Sequence, residues 1–383
     1  MTTETKSPVL VVLQLTGGND YLNSVIPYAN ANYYDNRKGP LRVEEDDVLK
    51  IDDAVGLHPK MAPLKEIYDE GDMAIIHGVG YPNSPRSHFR SMDIWHTCEP
   101  DKVGTEGWVA RAIRDLDPEG ENPVTGVNIG LSLPRAMVLP GVSVASVADL
   151  STYGLLNSIE IEEQRTKMLE RFANMYGKAI GTGAVKEYLG QTGLDALSGA
   201  DILQGGLSRY SSSVEYGIDP ISKSLRDVAT IHTADVGTRV FYASHTGFDT
   251  HASQQPTFER LWTEVSSAVS NFWDDLRAHD ADDNVVMILF SEFGRRVRDN
   301  GSGTDHGAAG VSFVIGPSVK GGQYGDYPET RAEALDQGDL VPSQDFRGVY
   351  STILDDWLGL DPVPIVDGQF ERPRFITSGT DAA

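Results

Sequence analysis

With 383 residues, 40% of them apolar, the chain can bury a large core, and one α/β domain with an inserted helical region accommodates that length. A net charge of -24 and a pI near 4.6 exclude nucleic acid and anionic membrane as main partners, since both would repel such a surface, whereas divalent cations would be attracted. The single cysteine, Cys98, excludes an intrachain disulfide and any cysteine-based metal cluster.

Met1 to Ser7 is polar and runs directly into Val9-Leu10-Val11-Val12-Leu13, which reads as a strand buried on both faces. As written, the chain is expected to be cytoplasmic; if a leader preceded it, periplasmic or secreted. Thr16-Gly17-Gly18-Asn19-Asp20 turns sharply at the strand end, so Asp20 either aims a carboxylate back over the sheet or caps the next helix. Helical spacing of Met61, Leu64, Ile67 and Tyr68, followed by Met73-Ala74-Ile75-Ile76, gives βαβ order and a parallel sheet. His77 closes that strand as a core residue. A Gly/Pro loop then leads to Ser87-His88-Phe89, where a helix begins and Ser87 is either its N-cap or a nucleophile at an anion-favouring helix end.

Gly107 to Arg111 opens another helix, and Thr125 to Leu139 suggests two short strands around Pro134. Residues 151–233 read as a helical insertion or cap within a single domain. The sheet resumes at Arg239 to Ala243, and Ser244 to His251 follows as a loop. On it Asp249 and His251, two residues apart, can face one ion, with His245 nearby. Phe258, Leu261, Trp262, Val265, Val269, Phe272, Trp273 and Leu276 form a helical stripe packed on the sheet. Asn284 to Phe290 is a further buried strand, at whose end come Ser291-Glu292-Phe293-Gly294-Arg295 and then Asp305-His306-Gly307. Carboxyl ends of strands line the crevice of an open α/β sheet, which is where these groups should arrive. Val311 to Ile315 is another strand, and Phe346 to Trp357 a closing helix.

Carboxylates and imidazoles gathered at strand ends without cysteine suit a centre holding one or two divalent ions, among which zinc, manganese, magnesium, calcium and iron are not distinguished. The motifs Gly17-Gly18-Asn19-Asp20, Ser87-His88-Phe89, Asp249-Thr250-His251, Ser291-Glu292-Phe293-Gly294-Arg295 and Thr304-Asp305-His306-Gly307 resemble the sulfatase-like domain of unknown function 1501 family of the alkaline-phosphatase/sulfatase clan. The resemblance implies a doubly wound, mostly parallel α/β sheet flanked by helices, and a metal-dependent hydrolase of a phosphate or sulfate ester borne on a small molecule or carbohydrate. It also implies Ser87 as nucleophile, one metal on Asp20, Asp305 and His306, and a second on Asp249 and His251. No histidine follows His306, so His88, His245 or Glu292 would complete the second site, unless it is absent. Glu292 is otherwise a general base, and Arg295 a clamp on an anionic oxygen. Ser84 is the alternative nucleophile. Cys98-Glu99-Pro100-Asp101 departs from the Cys-x-Pro-Ser-Arg context of formylglycine sulfatases. A non-catalytic metal-binding or scaffold protein, and a lyase, isomerase or transferase on the same fold, are the alternatives.

Overall fold

The structure is a computed structural model describing residues 6–150, 152–153, 162–178, 183–207 and 210–377. Nine strands form its main sheet: β1 (Val9–Thr16), β2 (Met73–Gly80), β3 (Gly126–Ile129), β4 (Ala145–Val147), β5 (Val240–Thr246), β6 (Val285–Phe290), β7 (Gly310–Ile315), β8 (Gly322–Tyr324) and β9 (Gln344–Asp345). Their spatial order is β8-β2-β7-β6-β1-β5-β3-β4, with β9 added to β2. β1 lies between β5 and β6, parallel to both. Strand β7 alone runs antiparallel, against β6 and β2.

Alternation along β1 sends Val9, Val11, Leu13 and Leu15 into one core and Leu10 and Val12 into another, as a strand buried on both faces requires. The first core is closed by α1 (Ala62–Glu70), α6 (Pro220–Thr233) and the long α7 (Gln254–Ala278), whose stripe of Phe258, Leu261, Trp262, Val265 and Val269 lies against the sheet. α2 (His88–Thr97), α3 (Trp108–Leu116) and α8 (Phe346–Thr352) close the second, where Trp95 stacks on Phe290 and Phe346. The sheet is therefore doubly wound, with helices on both faces.

Within the region read as an insertion, the helices α4 (Glu162–Gly177) and α5 (Ala184–Leu207) lie side by side, while α6 packs on the sheet itself. Parts of 151–233, and the tail beyond 377, lie outside the described residues. One expectation needs correction. Of the strands around Pro134 only β3 forms, and Arg135–Met137 is a single helical turn, consistent with a proline that has no N–H to give a ladder. A small antiparallel sheet of Val25–Ile26, Gly56–Leu57 and Leu49–Lys50 stands apart from the main one, its strands being too short to show a period in the sequence. No described helix is long and apolar enough to cross a membrane.

Candidate functional site

At the carboxyl edge, β1, β5 and β6 release the three neighbouring loops that begin at Gly17, Gly247 and Ser291. They approach each other closely: Gly17 has φ +124, and a Cβ there would lie 2.3 Å from the backbone nitrogen of Asp249. Only glycine tolerates both conditions. Ser291 Oγ donates to the carbonyl of Leu15 at 2.6 Å and accepts from the amides of Gly18 and Asn19 at 3.1 and 3.0 Å. The fourth loop arrives from the other direction, because β7 is antiparallel and the residues that precede it, Asp305 to Ala309, lie at the same edge. It is laced to the third loop through Arg296 N to Asp305 O and Gly307 N to Gly294 O, both 2.9 Å.

Three imidazoles and one carboxylate converge there. His306 Nε2 lies 3.0 Å from Asp249 Oδ1, His251 Nε2 lies 2.9 Å from His306 Nε2 and 3.1 Å from Asp249 Oδ1, and His88 Nε2 lies 3.4 Å from Asp249 Oδ2. Every other ring nitrogen is occupied. His88 Nδ1 donates to Glu292 Oε1 at 2.9 Å, His251 Nδ1 to Asp305 Oδ1 at 3.1 Å, and His306 Nδ1 to the carbonyl of Arg86 at 2.9 Å. Carboxylates and carbonyls only accept, so each Nδ1 is suited to carry its ring's hydrogen, and a ring in that tautomer would offer its Nε2 lone pair to a cation.

Lone pairs so placed would repel unless a cation stood among them, and buried His88 Nε2 has no hydrogen-bond partner. The separations of 2.9 to 3.4 Å compare with about 3.3 Å between ligands held roughly 2.0–2.1 Å from a tetrahedral zinc. His88, Asp249 and His306 each offer an atom within 4.8 Å of the others. The residues present thus fit a metal ion, with each histidine oriented by a partner on its far nitrogen, as metal-bound histidines are.

Burial opposes the ionisation of Asp249, yet the hydrogen bonds it accepts from His306, whose Nε2 carries the hydrogen when no cation stands there, and from Arg295 prevail and hold its carboxyl down, at about 2. The bond to Glu292 raises the His88 pKa against its burial. His251, by its hydrogen bond, lowers that of Asp305.

Several expected residues stand elsewhere. Asp20 is fully buried and turned away: Arg37 Nη2 reaches its Oδ1 at 2.6 Å and Gln254 Nε2 its Oδ2 at 2.5 Å. Both oxygens are therefore engaged, and the shared site of Asp20, Asp305 and His306 does not assemble. Asp305 stands behind His251 as its partner. Glu292, fully buried, receives the Gly17 amide at 2.9 Å as well as His88, and so orients a ring. Arg295, 1% exposed, donates to the carbonyls of Gly17, Gly18, Phe248 and Thr304 and to Asp249 Oδ1, which leaves no free edge to clamp a substrate anion. His245 pairs with Glu264, away from the cluster. Ser87 is exposed and occupies the N-cap of α2 without making a side-chain cap bond.

The sequence reading missed Phe293, whose ring centre lies 4.9 Å from that of His88 and 4.7 Å from that of His306 and forms the floor beneath both. Its place between Glu292 and Gly294 was the only signal. Arg37 and Gln254, distant in sequence, carried none. A larger groove of 820 Å³ opens at the opposite, amino-terminal edge, around Val9, Arg239 and Asn284, and contains none of the converging residues.

The family described as protein of unknown function (DUF1501) matches residues 209–382, which include the motifs at Asp249, Glu292 and Asp305 and bear out the resemblance read from them. No curated protein matches. Among solved structures, a protein in the alkaline phosphatase superfamily from Vibrio parahaemolyticus is similar at 10% identity and TM-score 0.43, over 96% of this chain and 70% of that one. The C-terminal periplasmic domain of EcEptC from Escherichia coli, solved in complex with Zn, is similar at 8% identity and TM-score 0.38, over 82% and 73%. The lipoteichoic acid synthase LtaP from Listeria monocytogenes is similar at 8% identity and TM-score 0.38, over 83% and 68%.

Proposed function

We propose that the chain is a metal-dependent hydrolase of a phosphate or sulfate ester, with a single divalent transition-metal ion held by His88, Asp249, His251 and His306. The observation that carries this reading is the set of three imidazoles, each anchored through Nδ1 so that the Nε2 atoms meet at one carboxylate. Three nitrogens and one oxygen favour zinc, manganese or iron over magnesium and calcium, which prefer oxygen. Such an ion, when bound, polarises an ester oxygen and lowers the pKa of an adjacent hydroxyl or water.

The rest falls to the chain. Glu292, Asp305 and the Arg86 carbonyl keep the protons on the far ring nitrogens, and Arg295 fixes Asp249 while tying the loops that carry the ligands. Ser87 is the nucleophile: its hydroxyl makes no cap bond, it adjoins His88, and the N-terminal end of α2 favours the negative charge of the group attacked. Element analysis of protein purified without chelator, joined to a panel of phosphate and sulfate esters, tests the reading. One equivalent of transition metal is expected, with turnover lost in His306→Ala. Absence of metal from wild type would refute the site; metal without turnover would leave a binding protein, and a non-hydrolytic product would assign another reaction.

A further inference from the structure

The rim of the imidazole cluster carries apolar side chains that the fold leaves uncovered. Phe89, the residue after His88, is 91% exposed, Leu131 on the loop that follows β3 is 94% exposed, and Val103 is 72% exposed. Single apolar side chains scattered over a surface need no account, whereas several gathered at one place do. Arg135 ties these segments together: its Nη1 donates to Asp93 Oδ1 at 2.7 Å and, at 2.6 Å, to the carbonyl of Gly104, which follows Val103. Asp93 stands one helical turn after Phe89 on α2, hence on the same face, and the partly exposed Leu133 lies just before Pro134 and Arg135.

The patch borders the open side of the cluster, where Asp249 and His251 are exposed. In a helix each Cα–Cβ bond tilts toward the N-terminus. Phe89, in the first turn of α2, therefore leans over the end that Ser87 occupies, while His88 beside it reaches Asp249. The loop bearing Leu131 leaves the carboxyl end of β3, whose parallel neighbour β5 sends out Asp249 from the same edge. The charged groups framing the patch are engaged with one another: Arg90 donates to Asp93 and to the carbonyl of Pro100, and Arg135 to Asp93 and Gly104. What settles on the patch does so through C–H groups, by removal of apolar surface from water.

We infer that Phe89, supported by Leu131 and Leu133, determines specificity by holding the apolar body, alkyl or aryl, of a substrate whose anionic ester group lies at the imidazoles and Ser87. This rests on the hydrolase reading for the ester, though not for the apolar surface. A substrate is favoured as occupant because Phe89 is continuous in the chain with Ser87 and His88. A second copy of the chain is disfavoured, since two bodies of net charge -24 repel.

Calorimetric titration of the full chain, supplied with zinc, with methyl-, hexyl- and phenylphosphonate tests it, using wild type, Phe89→Ser, Phe89→Leu and Leu131→Ser. Both positions are exposed, where substitution leaves the fold intact. Hexyl- and phenylphosphonate should bind about 10-fold or more tighter than methylphosphonate in wild type, through burial of their carbon bodies. Phe89→Ser should remove most of that preference, Leu131→Ser should reduce it, and Phe89→Leu should keep it for the hexyl ligand. With methyl, hexyl and phenyl phosphate as substrates, the loss in Phe89→Ser should appear in KM for the hexyl and phenyl esters and leave kcat unchanged. No binding of any phosphonate, equal binding of all three by wild type, or a preference unchanged in Phe89→Ser overturns the subsite. Sedimentation of the same samples decides the rival occupant: a dimer that Phe89→Ser dissociates would make the patch a contact between copies and overturn the subsite. Turnover of the three phosphates at equal KM refutes the subsite and spares the hydrolase; apolar preference in binding, without turnover of any phosphate or sulfate ester, does the reverse.

Discussion

Replacing Asp20 by Asn separates a structural carboxylate from a metal ligand. Asp20 and Arg37 both have side chains with 0% exposure and meet at 2.6 Å; Arg37 Nε and Nη1 have no other partner. Removing the negative charge strands a buried guanidinium, and breaking such a pair from one side costs about 3–5 kcal/mol. Against a total stability of roughly 5–15 kcal/mol, and at about 2–4 °C per kcal/mol for the larger single domains, Tm should fall by roughly 6–20 °C. The loss should be non-additive: Asp20→Asn combined with Arg37→Met should recover most of it, because no charge is then left unpaired. Metal content, measured by element analysis on the same samples, should match wild type throughout. A single variant that melts as wild type does yet has lost its metal would refute the reasoning and return Asp20 to the ion.

Ser87→Ala should lower turnover by several orders of magnitude with metal retained; because Ser87 makes no side-chain cap bond, stability should change by no more than about 0.5 kcal/mol, below the ~1 kcal/mol of an ordinary N-cap. Retained turnover would move the attack to Ser84 or to water. Glu292→Gln should weaken metal affinity about 10–100-fold through loss of the His88 anchor, which competition with a chelator of known affinity can read; unchanged affinity would remove Glu292 from that role. Burial holds the His58 and His96 pKa values at about 4, below their unfolded value of about 6.5. The unfolded chain therefore takes up protons that the native one does not, so this stability is complete above that value and falls as pH drops toward 4. Each contributes roughly 3 kcal/mol, and urea midpoints that stay flat across the window would show that the rings are charged in the fold.

The motifs were readable because chemistry-bearing residues stand directly after buried apolar runs, and a run such as Val285–Phe290 has little alternative to a central strand. Partnership was not readable. Asp20 and Asp249 each follow a glycine-containing turn at a strand end, yet one is closed off by Arg37 and Gln254, 17 and 234 residues away, and the other stays open to three imidazoles. The difference lies in long-range packing, which leaves no local period or spacing. Strand direction was hidden for a related reason: Val311 to Ile315 shows burial and not polarity, and only the antiparallel course of β7 explains why His306, which precedes its strand, meets residues that follow theirs. His88 was placed in the metal set as a substitute ligand, and its anchor on Glu292 accounts for that role better than its neighbour Ser87 does.

Charge around the imidazoles bears on the number of ions. Asp249, Glu292 and Asp305 each contact the cluster, and Arg295 is the guanidinium bonded to it. Arg86 contributes its carbonyl there, while its guanidinium is directed to Asp339. With neutral imidazoles, three carboxylates against one guanidinium leave an excess of two negative charges, which one divalent cation neutralises. A second ion would overshoot that balance and would need ligands from Asp20 or Asp305, whose engaged oxygens are tied to Arg37 and Gln254 or to His251. The balance of charge is therefore that of a site for one divalent ion. A stoichiometry of one bound metal per chain, unchanged by further metal in the medium, is what this balance requires.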